Sequence, residues 1–185
     1  MTVDYTEIYD RLYPATDPGR RILWRHSRSV ARLACHINEK LGLGLDPVEV
    51  ETAAMLHDIG ICGTDAPGLN CHGDKPYICH GVIGADILRE NGYPEWAARV
   101  AERHTGTGIT PTERELLNIP IPADRNYMPE TLLEKLVCYA DKFYSKSGDM
   151  KRKNIDRVRV SMARHGGDTL SRFEAMHKAF SAGLD

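Results

Sequence analysis

The sequence has no excess of either charge and no long apolar run. Its 24 lysines and arginines against 26 aspartates and glutamates leave a formal net charge of −2 over 185 residues. Proteins that follow nucleic-acid phosphates usually carry a basic excess, so we expect no nucleic-acid partner. No segment approaches the roughly 18–20 apolar residues that cross a bilayer, so we expect no membrane partner.

The sequence also lacks the cysteine pairs of a disulfide framework or a structural zinc site. Its five cysteines, at positions 35, 62, 71, 79 and 138, form no CxxC pair. Isolated thiols in odd number are typical of a reducing compartment. The first residues carry acids and no apolar stretch, unlike a signal peptide. We therefore predict a cytoplasmic protein.

Helical periodicity dominates the sequence. Almost nothing alternates with a period of two, and the proline-bounded run 118–121 is the nearest approach to a strand. We predict an all-α fold in a single compact domain over 1–185, with a core at about 20–148 and C-terminal helices at about 150–182 packed on it. The predicted helices span about 4–13, 18 to 42 or 44, 47–57, 78–91, 94–104, 129–146, 151–165 and 169–182.

Glycine and proline interrupt this periodicity in two long stretches. Residues 59–76 contain four glycines and two prolines, which predicts a loop without regular structure. Residues 105–128 contain three prolines, and we predict a single helical turn there, near 113–117. Loops of this length inside a small domain are more often functional than idle.

Polar titratable residues occupy the apolar face of several predicted helices. One buried histidine is usually a core residue with satisfied ring nitrogens, but a dry, unpaired carboxylate is costly and needs a cation or a proton. Six such residues on five helices favour a metal centre, because imidazole and carboxylate are the ligands that intermediate divalent metals prefer. The six are His26, His57, Asp58, His80, His104 and Asp141.

The adjacency of His57 and Asp58 at a helix end suggests how two metals would share these ligands. Asp58 can offer one carboxylate oxygen to each of two ions. One ion would then take His26, His57, Asp58 and Asp141, and the other Asp58, His80 and His104. We predict two divalent ions per chain, of iron, manganese, nickel, cobalt or zinc, with open positions for water as in catalytic sites.

The order of these residues resembles the signature of the HD-domain superfamily of metal-dependent phosphohydrolases. The string LHDIG at 56–60 resembles the HDIG form of the core motif, and the resemblance covers roughly 20–148. The histidines of HGVIGADIL (80–88) and RHTG (103–106) resemble those of its dinuclear branches, and these stretches with LLEKLVCYADKF are similar to bacterial dinucleoside-polyphosphate hydrolases, which contain iron. Where many HDIG proteins carry lysine, this chain has Ile61.

The resemblance implies a helical HD-domain bundle that hydrolyses a phosphate ester or anhydride of a nucleotide or another small phosphorylated metabolite. We expect a metal-activated water as the nucleophile and predict that the insertions 61–76 and 107–128 rim the pocket. The predicted catalytic residues are Asp58, Lys142 and Arg103. The predicted substrate contacts are Arg25, Lys146, Thr105 and His72.

Two other functions remain open from the residues. Some members of the superfamily use the same six ligands as mixed-valent di-iron oxygenases, and a non-catalytic nucleotide-binding module would use the metal as a structural pin. Dioxygen dependence separates the first from a hydrolase, and nucleotide binding without turnover indicates the second. The apolar positions of the C-terminal helices, such as Val158 and Phe173, either cover the core or form a homodimer face.

Overall fold

Helices account for nearly all the regular structure of the described residues, 4–166 and 168–185, in this computed structural model. The all-α prediction is confirmed. The helices are α1 (Thr6–Leu12), α2 (Pro18–Leu41), α3 (Pro47–Leu56), α4 (His80–Glu90), α5 (Glu95–Arg103), α6 (Pro111–Leu116), α7 (Leu132–Asp141), α8 (Ile155–Ala163) and α9 (Thr169–Phe180).

Helix α2 shows how the sequence sets helix ends. The Asp17 carboxylate accepts a hydrogen bond from the Gly19 amide at 2.7 Å, with Pro18 in the first helical position. At the other end Gly42 adopts a left-handed conformation (φ 60°), and the Leu43 amide donates back to the Asn38 carbonyl at 3.0 Å. Proline at the start and glycine after the end are the asymmetry expected of a well-capped helix.

The stretch 59–76 is more ordered than the predicted loop. It contains 3₁₀ turns at Ile59–Gly63 and Pro67–Leu69 and a two-stranded antiparallel ribbon, β1 (Asp65–Ala66) with β2 (Cys71–His72). Short 3₁₀ turns need only a few residues, so glycine and proline punctuation does not prevent them. The prediction of no regular structure was therefore wrong here, although the all-α class is unaffected.

Helix α7 is shorter than the predicted 129–146. It begins at Leu132 because Thr131 and Glu134 form a reciprocal capping box, each side chain bonding the other residue's backbone. It ends at Asp141, after which the chain turns. Lys146 thus lies beyond the helix rather than on its face.

The core lies where α2, α3, α5 and α7 pack together, and α4 packs on α5 and on the 3₁₀ turn Ile59–Gly63. Helix α9 lies against α7, with the ring of Phe173 5.6 Å from that of Tyr139. The predicted break at Gly166-Gly167 is a turn at Gly166, whereas Gly167 lies outside the described residues. Among the described helices, none is both long and apolar enough to cross a membrane.

Candidate metal centre

The six predicted ligands converge in the interior although they come from five helices. His26 lies in the middle of α2, and the others lie at helix ends: His57 and Asp58 after α3, His80 at the start of α4, His104 after α5 and Asp141 at the end of α7. Every one of them is buried. Helix ends bring polar side chains to the centre without placing them inside an apolar helix face.

Four of these residues form one group around a common point. Nε2 of His26 lies 3.0 Å from Oδ1 of Asp141 and 3.2 Å from Oδ2 of Asp58. Nε2 of His57 lies 3.0 Å from the same Asp58 oxygen and 3.3 Å from Nε2 of His26. Two ligand atoms of one tetrahedral ion are roughly 3.3 Å apart at metal–ligand distances of about 2.0–2.1 Å. The group therefore matches the spacing of ligands to a single ion.

The second group uses the other oxygen of Asp58. Nε2 of His80 lies 3.0 Å from Nε2 of His104. Oδ1 of Asp58 lies 3.4 Å from the first of these nitrogens and 3.3 Å from the second. Asp58 thus faces two donor groups, one with each carboxylate oxygen, which is the partition predicted from the sequence.

Backbone carbonyls fix the orientation of three of the histidines. Nδ1 of His57, His80 and His104 donates to the carbonyl three residues earlier, at 2.6, 2.7 and 2.8 Å respectively. A histidine protonated at Nδ1 presents a lone pair at Nε2, and hydrogen bonds of this kind hold metal-binding imidazoles in place. The convergent Nε2 atoms are therefore acceptors that face one another, an arrangement that a cation stabilises.

The hydrogen-bonding inventory also fits a metal. In the part of the chain that the structure describes, no well-aligned hydrogen bond reaches either oxygen of Asp58, although both are buried. Lys146 forms an ion pair there, with its Nζ 2.6 Å from Oδ2. A buried carboxylate without hydrogen bonds is costly unless cations compensate it, and imidazole with carboxylate is a donor set for intermediate divalent ions. The cluster is thus compatible with divalent metal binding.

The electrostatics favour neutral imidazole in the second group and ionised carboxylates in both. Burial, reinforced by His104, lowers the pKa of His80 to about 3, and burial also lowers the pKa of His104. Burial opposes ionisation of Asp58, but His57 and Lys146 hold its pKa well below the ordinary value. Neutral imidazole and ionised carboxylate are the protonation states that bind metal.

His57 and Asp141 complete this charge pattern. Burial would lower the pKa of His57, but the neighbouring carboxylates of Asp58 and Asp141 raise it to about 9. Burial would raise the pKa of Asp141, yet Lys142 and His26 keep it well below its ordinary value. The first group therefore attracts a positive charge, which is a proton on His57 when no metal competes for that position.

A cavity of about 320 Å³ opens onto the cluster. Its inner end contains His80, His104 and Asp141. Its walls are largely apolar, and its rim comes partly from the stretch 107–128 and partly from α8 and α9. The residues that form the walls and rim include Tyr77, Ile78, Ile109, Leu117, Ile119, Met162 and His165.

Lys142 and Lys146 both line this cavity. The Lys142 ammonium group is buried and donates to Asp141 at 2.7 Å and to the His104 carbonyl at 2.9 Å. The acidic neighbours keep the pKa of both lysines above the ordinary value, although burial opposes it. Two permanent positive charges therefore lie where a bound anion would meet the cluster. Thr105, which was predicted as a substrate contact, also lines the cavity.

The structure does not bring the other predicted contacts to the cavity, within the described part of the chain. Arg103, predicted as catalytic, is held by Glu130 at 2.6 Å and Glu134 at 3.1 Å. Arg25 is exposed and reaches only a backbone carbonyl, at 3.4 Å. His72 is exposed on β2. Arg25 and Arg103 each precede a ligand histidine, but neighbours on a helix project about 100° apart.

The second insertion, 107–128, contributes cavity residues as predicted, but 61–76 contributes none among the described lining residues. That stretch packs on α2 and on the 3₁₀ turn Ile59–Gly63 instead.

Tyr77 was missed in the sequence. Its carbonyl accepts the Nδ1 hydrogen bond of His80, its ring lies 4.7 Å from the His80 ring, and it lines the cavity. Burial and the nearby Asp58 carboxylate raise its pKa to about 12. Its position three residues before a ligand histidine is a usable signal, because the other two orienting carbonyls occupy the same position.

A model described as HD domain matches residues 23–145. The chain belongs to the HD domain family. The match includes all six residues of the cluster and ends before α8 and α9, so the part of this HD domain chain that closes one side of the cavity lies outside the family model.

Three curated relatives are similar to this HD domain chain. It is 34% identical over 160 residues to a protein of Thermoplasma volcanium and 29% identical over 161 residues to one of Picrophilus torridus, both named tRNA (cytidine(56)-2'-O)-methyltransferase. These matches cover 86% and 87% of the chain but 42% of each relative. An uncharacterized protein of Methanocaldococcus jannaschii is 42% identical over 126 residues, 68% of the chain and 64% of that protein.

Solved structures with a similar fold are those of the HD domain of the Listeria monocytogenes phosphodiesterase PgpH. With cyclic-di-AMP bound, that domain aligns with a TM-score of 0.53 over 96% of each chain. A second structure of the domain aligns with a TM-score of 0.52, over 95% of this chain and 98% of the other. The sequence identity is 18% in both cases, so this likeness concerns the fold.

Proposed function

We propose that this protein is a metal-dependent phosphohydrolase that cleaves a phosphate ester or anhydride bond of a nucleotide or another small phosphorylated metabolite. The observation that carries the proposal is the position of Asp58. Each of its oxygens faces a separate group of imidazole and carboxylate donors, and the cluster opens onto a cavity with two lysines. We further propose that the protein holds two ions.

His26, His57, Asp58 and Asp141 would hold one ion, and Asp58, His80 and His104 the other. Divalent ions bound there would lower the pKa of water to give a nucleophile near neutral pH and would neutralise phosphoryl charge. The carbonyls behind His57, His80 and His104 hold the three imidazoles in their metal-binding tautomer.

The two lysines have a distinct part in this proposal. Lys142 and Lys146 place positive charge beside Asp141 and Asp58, where the phosphoryl oxygens of a substrate would lie. Such fixed charges stabilise the negative charge that spreads over a transferring phosphoryl group. Their pKa values above the ordinary range keep both charged at neutral pH.

The size and apolar lining of the cavity support a substrate with an apolar part attached to its phosphate. A volume of about 320 Å³ is at the lower end of small-molecule sites, and most of the lining surface is apolar, with isoleucine, leucine, methionine and tyrosine among its side chains. The PgpH domain, which shares the fold, was solved with cyclic-di-AMP, so nucleotides and dinucleotides are the first class to screen. Methyl transfer is not proposed, because the match spans 42% of the relatives that carry that name.

The experiment is a screen of anaerobically purified protein against nucleotides, cyclic dinucleotides and dinucleoside polyphosphates, with manganese, iron, cobalt, nickel or zinc, in the presence and absence of dioxygen. We expect metal-dependent hydrolysis that does not require dioxygen. Oxygen-dependent turnover without phosphate-bond cleavage would favour the di-iron oxygenase instead. Nucleotide binding with no turnover under any metal would favour the binding module.

The Asp58→Ala variant ties that activity to the cluster. Both donor groups lose their shared ligand, so we expect loss of most bound metal and of hydrolysis to below the detection limit. Asp74→Ala removes the same carboxylate from an exposed position and is the matched control, with metal content and activity unchanged. Full metal content in Asp58→Ala would refute the site.

A further inference from the structure

Helix α2 carries four arginines on one exposed face, whereas the candidate ligand His26 lies on its buried face. The arginines are Arg21, Arg25, Arg28 and Arg32, at successive spacings of four, three and four residues. At 100° per residue these positions fall within an arc of about 60°, and at 1.5 Å per residue they extend over about 16 Å. All four are exposed. We call them the arginine row.

The arginine row is not neutralised by carboxylates. None of its members forms an ion pair within the described part of the chain, whereas other arginines do: Arg20 with Asp10, Arg89 with Glu95 and Arg159 with Glu174. Like charges three or four residues apart destabilise a helix by about 0.2–0.5 kcal/mol per pair. The row thus maintains positive charge at a cost to the helix.

Two carboxylates and one carbonyl lie around the row. Glu51 lines the same pocket as Arg28, and its carboxylate accepts a hydrogen bond from the Tyr5 hydroxyl at 2.8 Å but forms no ion pair with the row in the described part of the chain. Arg25 donates only to the backbone carbonyl of Asp149, at 3.4 Å. Glu39 continues the same helix face beyond Arg32 and ends the positive stretch. Within the described residues, the row is therefore a bounded strip of arginines without ion pairs, on a protein whose net charge is −2.

An aromatic pocket adjoins the row. A cavity of about 440 Å³ is lined by Tyr5 and Trp24, by Arg28 and Arg32 of the row, and by Glu51. The rings of Tyr5 and Trp24 lie 5.9 Å apart between centroids, and both are partly exposed. Among the described residues, none lines both this pocket and the cavity at the metal centre. The pocket is thus a separate site.

We propose that the arginine row and its pocket bind single-stranded nucleic acid. The arginines contact successive phosphates, and the pocket receives an unpaired base beside Tyr5 and Trp24. Single-strand sites combine a positive track with aromatic stacking platforms, and arginine also stacks on bases. A membrane surface or an acidic peptide would use the charge but leaves the aromatic pocket without a planar ligand. The near-neutral net charge predicted no nucleic-acid partner. A net charge is a sum over the whole chain, so it does not report the positive charge concentrated on one face of α2.

The test measures binding of fluorescently labelled 20-nucleotide RNA and DNA of the same sequence, each single-stranded and as a duplex, from 50 to 300 mM salt. The variant Arg21→Ala/Arg28→Ala/Arg32→Ala removes three charges and retains Arg25, which is adjacent to the candidate ligand His26. We expect single-strand binding at least tenfold weaker, and a slope of log K against log salt that is smaller by about 2, from roughly 0.7 per phosphate contact. The RNA and DNA arms show whether the 2′-hydroxyl contributes.

The matched control is Arg157→Ala/Arg164→Ala/Lys178→Ala, which removes the same charge from exposed positions on and beside α8 and α9. We expect its affinity and salt slope to equal those of the unmodified protein. Equal weakening in both variants, or no single-strand binding at 50 mM salt, would overturn the proposal. So would binding of an oligo-aspartate peptide of the same charge with equal affinity.

A second readout concerns the pocket alone. In a Trp96→Phe background, Trp24 is the only tryptophan, and we expect its fluorescence to be quenched by single strands. Unchanged Trp24 emission at saturating RNA or DNA would overturn the base-stacking part. Metal content measured alongside remains that of the unmodified protein if the site is separate from the metal centre.

Discussion

At the scale of single residues, the chemistry of this protein depends on the contacts that orient each side chain towards or away from the metal centre. Asp58 is fully buried and faces both donor groups, and three histidines donate from Nδ1 to carbonyls so that Nε2 faces inward. Arg103 precedes a ligand histidine but is committed to Glu130 and Glu134. Two residues that are adjacent in the chain can therefore have different roles: His104 is a candidate ligand, whereas Arg103 stabilises the structure around it.

Lys146 provides a prediction at this scale. Lys146→Met keeps the length of the side chain but removes the charge beside Asp58, so we expect kcat/KM for a phosphate substrate to fall by about 10- to 100-fold. Elemental analysis accompanies the kinetics, and we expect unchanged metal content. Lys135→Met on the exposed face of α7 is the control and leaves both quantities unaltered. Normal turnover in Lys146→Met would show that this lysine serves only the protein's own charge balance.

At the scale of secondary-structure elements, the close approach of Gly60 to α4 explains the glycine of the HDIG motif. A Cβ atom on Gly60 would lie 2.2 Å from the Gly84 amide nitrogen and 2.3 Å from the His80 carbonyl oxygen. Because both are backbone atoms, they cannot move aside without displacing α4. Gly60 thus lets the 3₁₀ turn after Asp58 approach the helix that carries His80.

We expect Gly60→Ala to lower the free energy of unfolding by about 1–3 kcal/mol, the range of an overpacked core site. Chemical denaturation of the metal-free protein measures it without a contribution from metal binding. Gly68→Ala, where a Cβ atom meets no atom within 4 Å, is the matched control and changes the stability by less than about 0.5 kcal/mol. Similar stability in the two variants would contradict the close contact.

The element scale also shows what could be predicted from sequence. Periodicity and the Asp17 and Gly42 ends predict α2 closely, and polar residues on apolar faces identify the whole cluster. The predicted range 129–146 is too long at both ends. It begins at Pro129, although the Thr131–Glu134 capping box sets the true start, and apolar residues such as Phe143 and Tyr144 continue past the true end at Asp141. Cavity walls depend on long-range packing, so His165, which lies outside the motif, could not be assigned from the sequence.

At the scale of the whole molecule, the C-terminal helices complete the cavity around the centre. Arg172 of α9 donates to Glu113 of α6 at 2.8 Å and to the Gly108 carbonyl at 3.2 Å, which joins the cavity rim to the last helix. Met162 and Thr169 line the cavity. The placement of these residues is consistent with the proposal of one domain whose C-terminal helices influence substrate choice.

Metal removal tests how much the proposed metal centre stabilises the folded protein. Ions that bind only the folded state stabilise it by about 4 kcal/mol at a thousandfold excess over Kd. At about 2–4 °C per kcal/mol for a protein of this size, we expect chelation to lower Tm by roughly 10 °C. Thermal unfolding with and without chelator measures this, and Asp58→Ala should show no chelator effect. An equal shift in both proteins would mean that the chelated ions bind elsewhere.

The most direct test of the central claim is the metal content of the unmodified protein and of His80→Ala and His104→Ala, measured by elemental analysis after anaerobic purification. Each variant loses a ligand from the second group only, whereas the first group keeps all four of its residues. We predict two ions per chain in the unmodified protein and a fall towards one in each variant. Two ions retained in both variants, or no bound metal in the unmodified protein, would contradict the dinuclear centre.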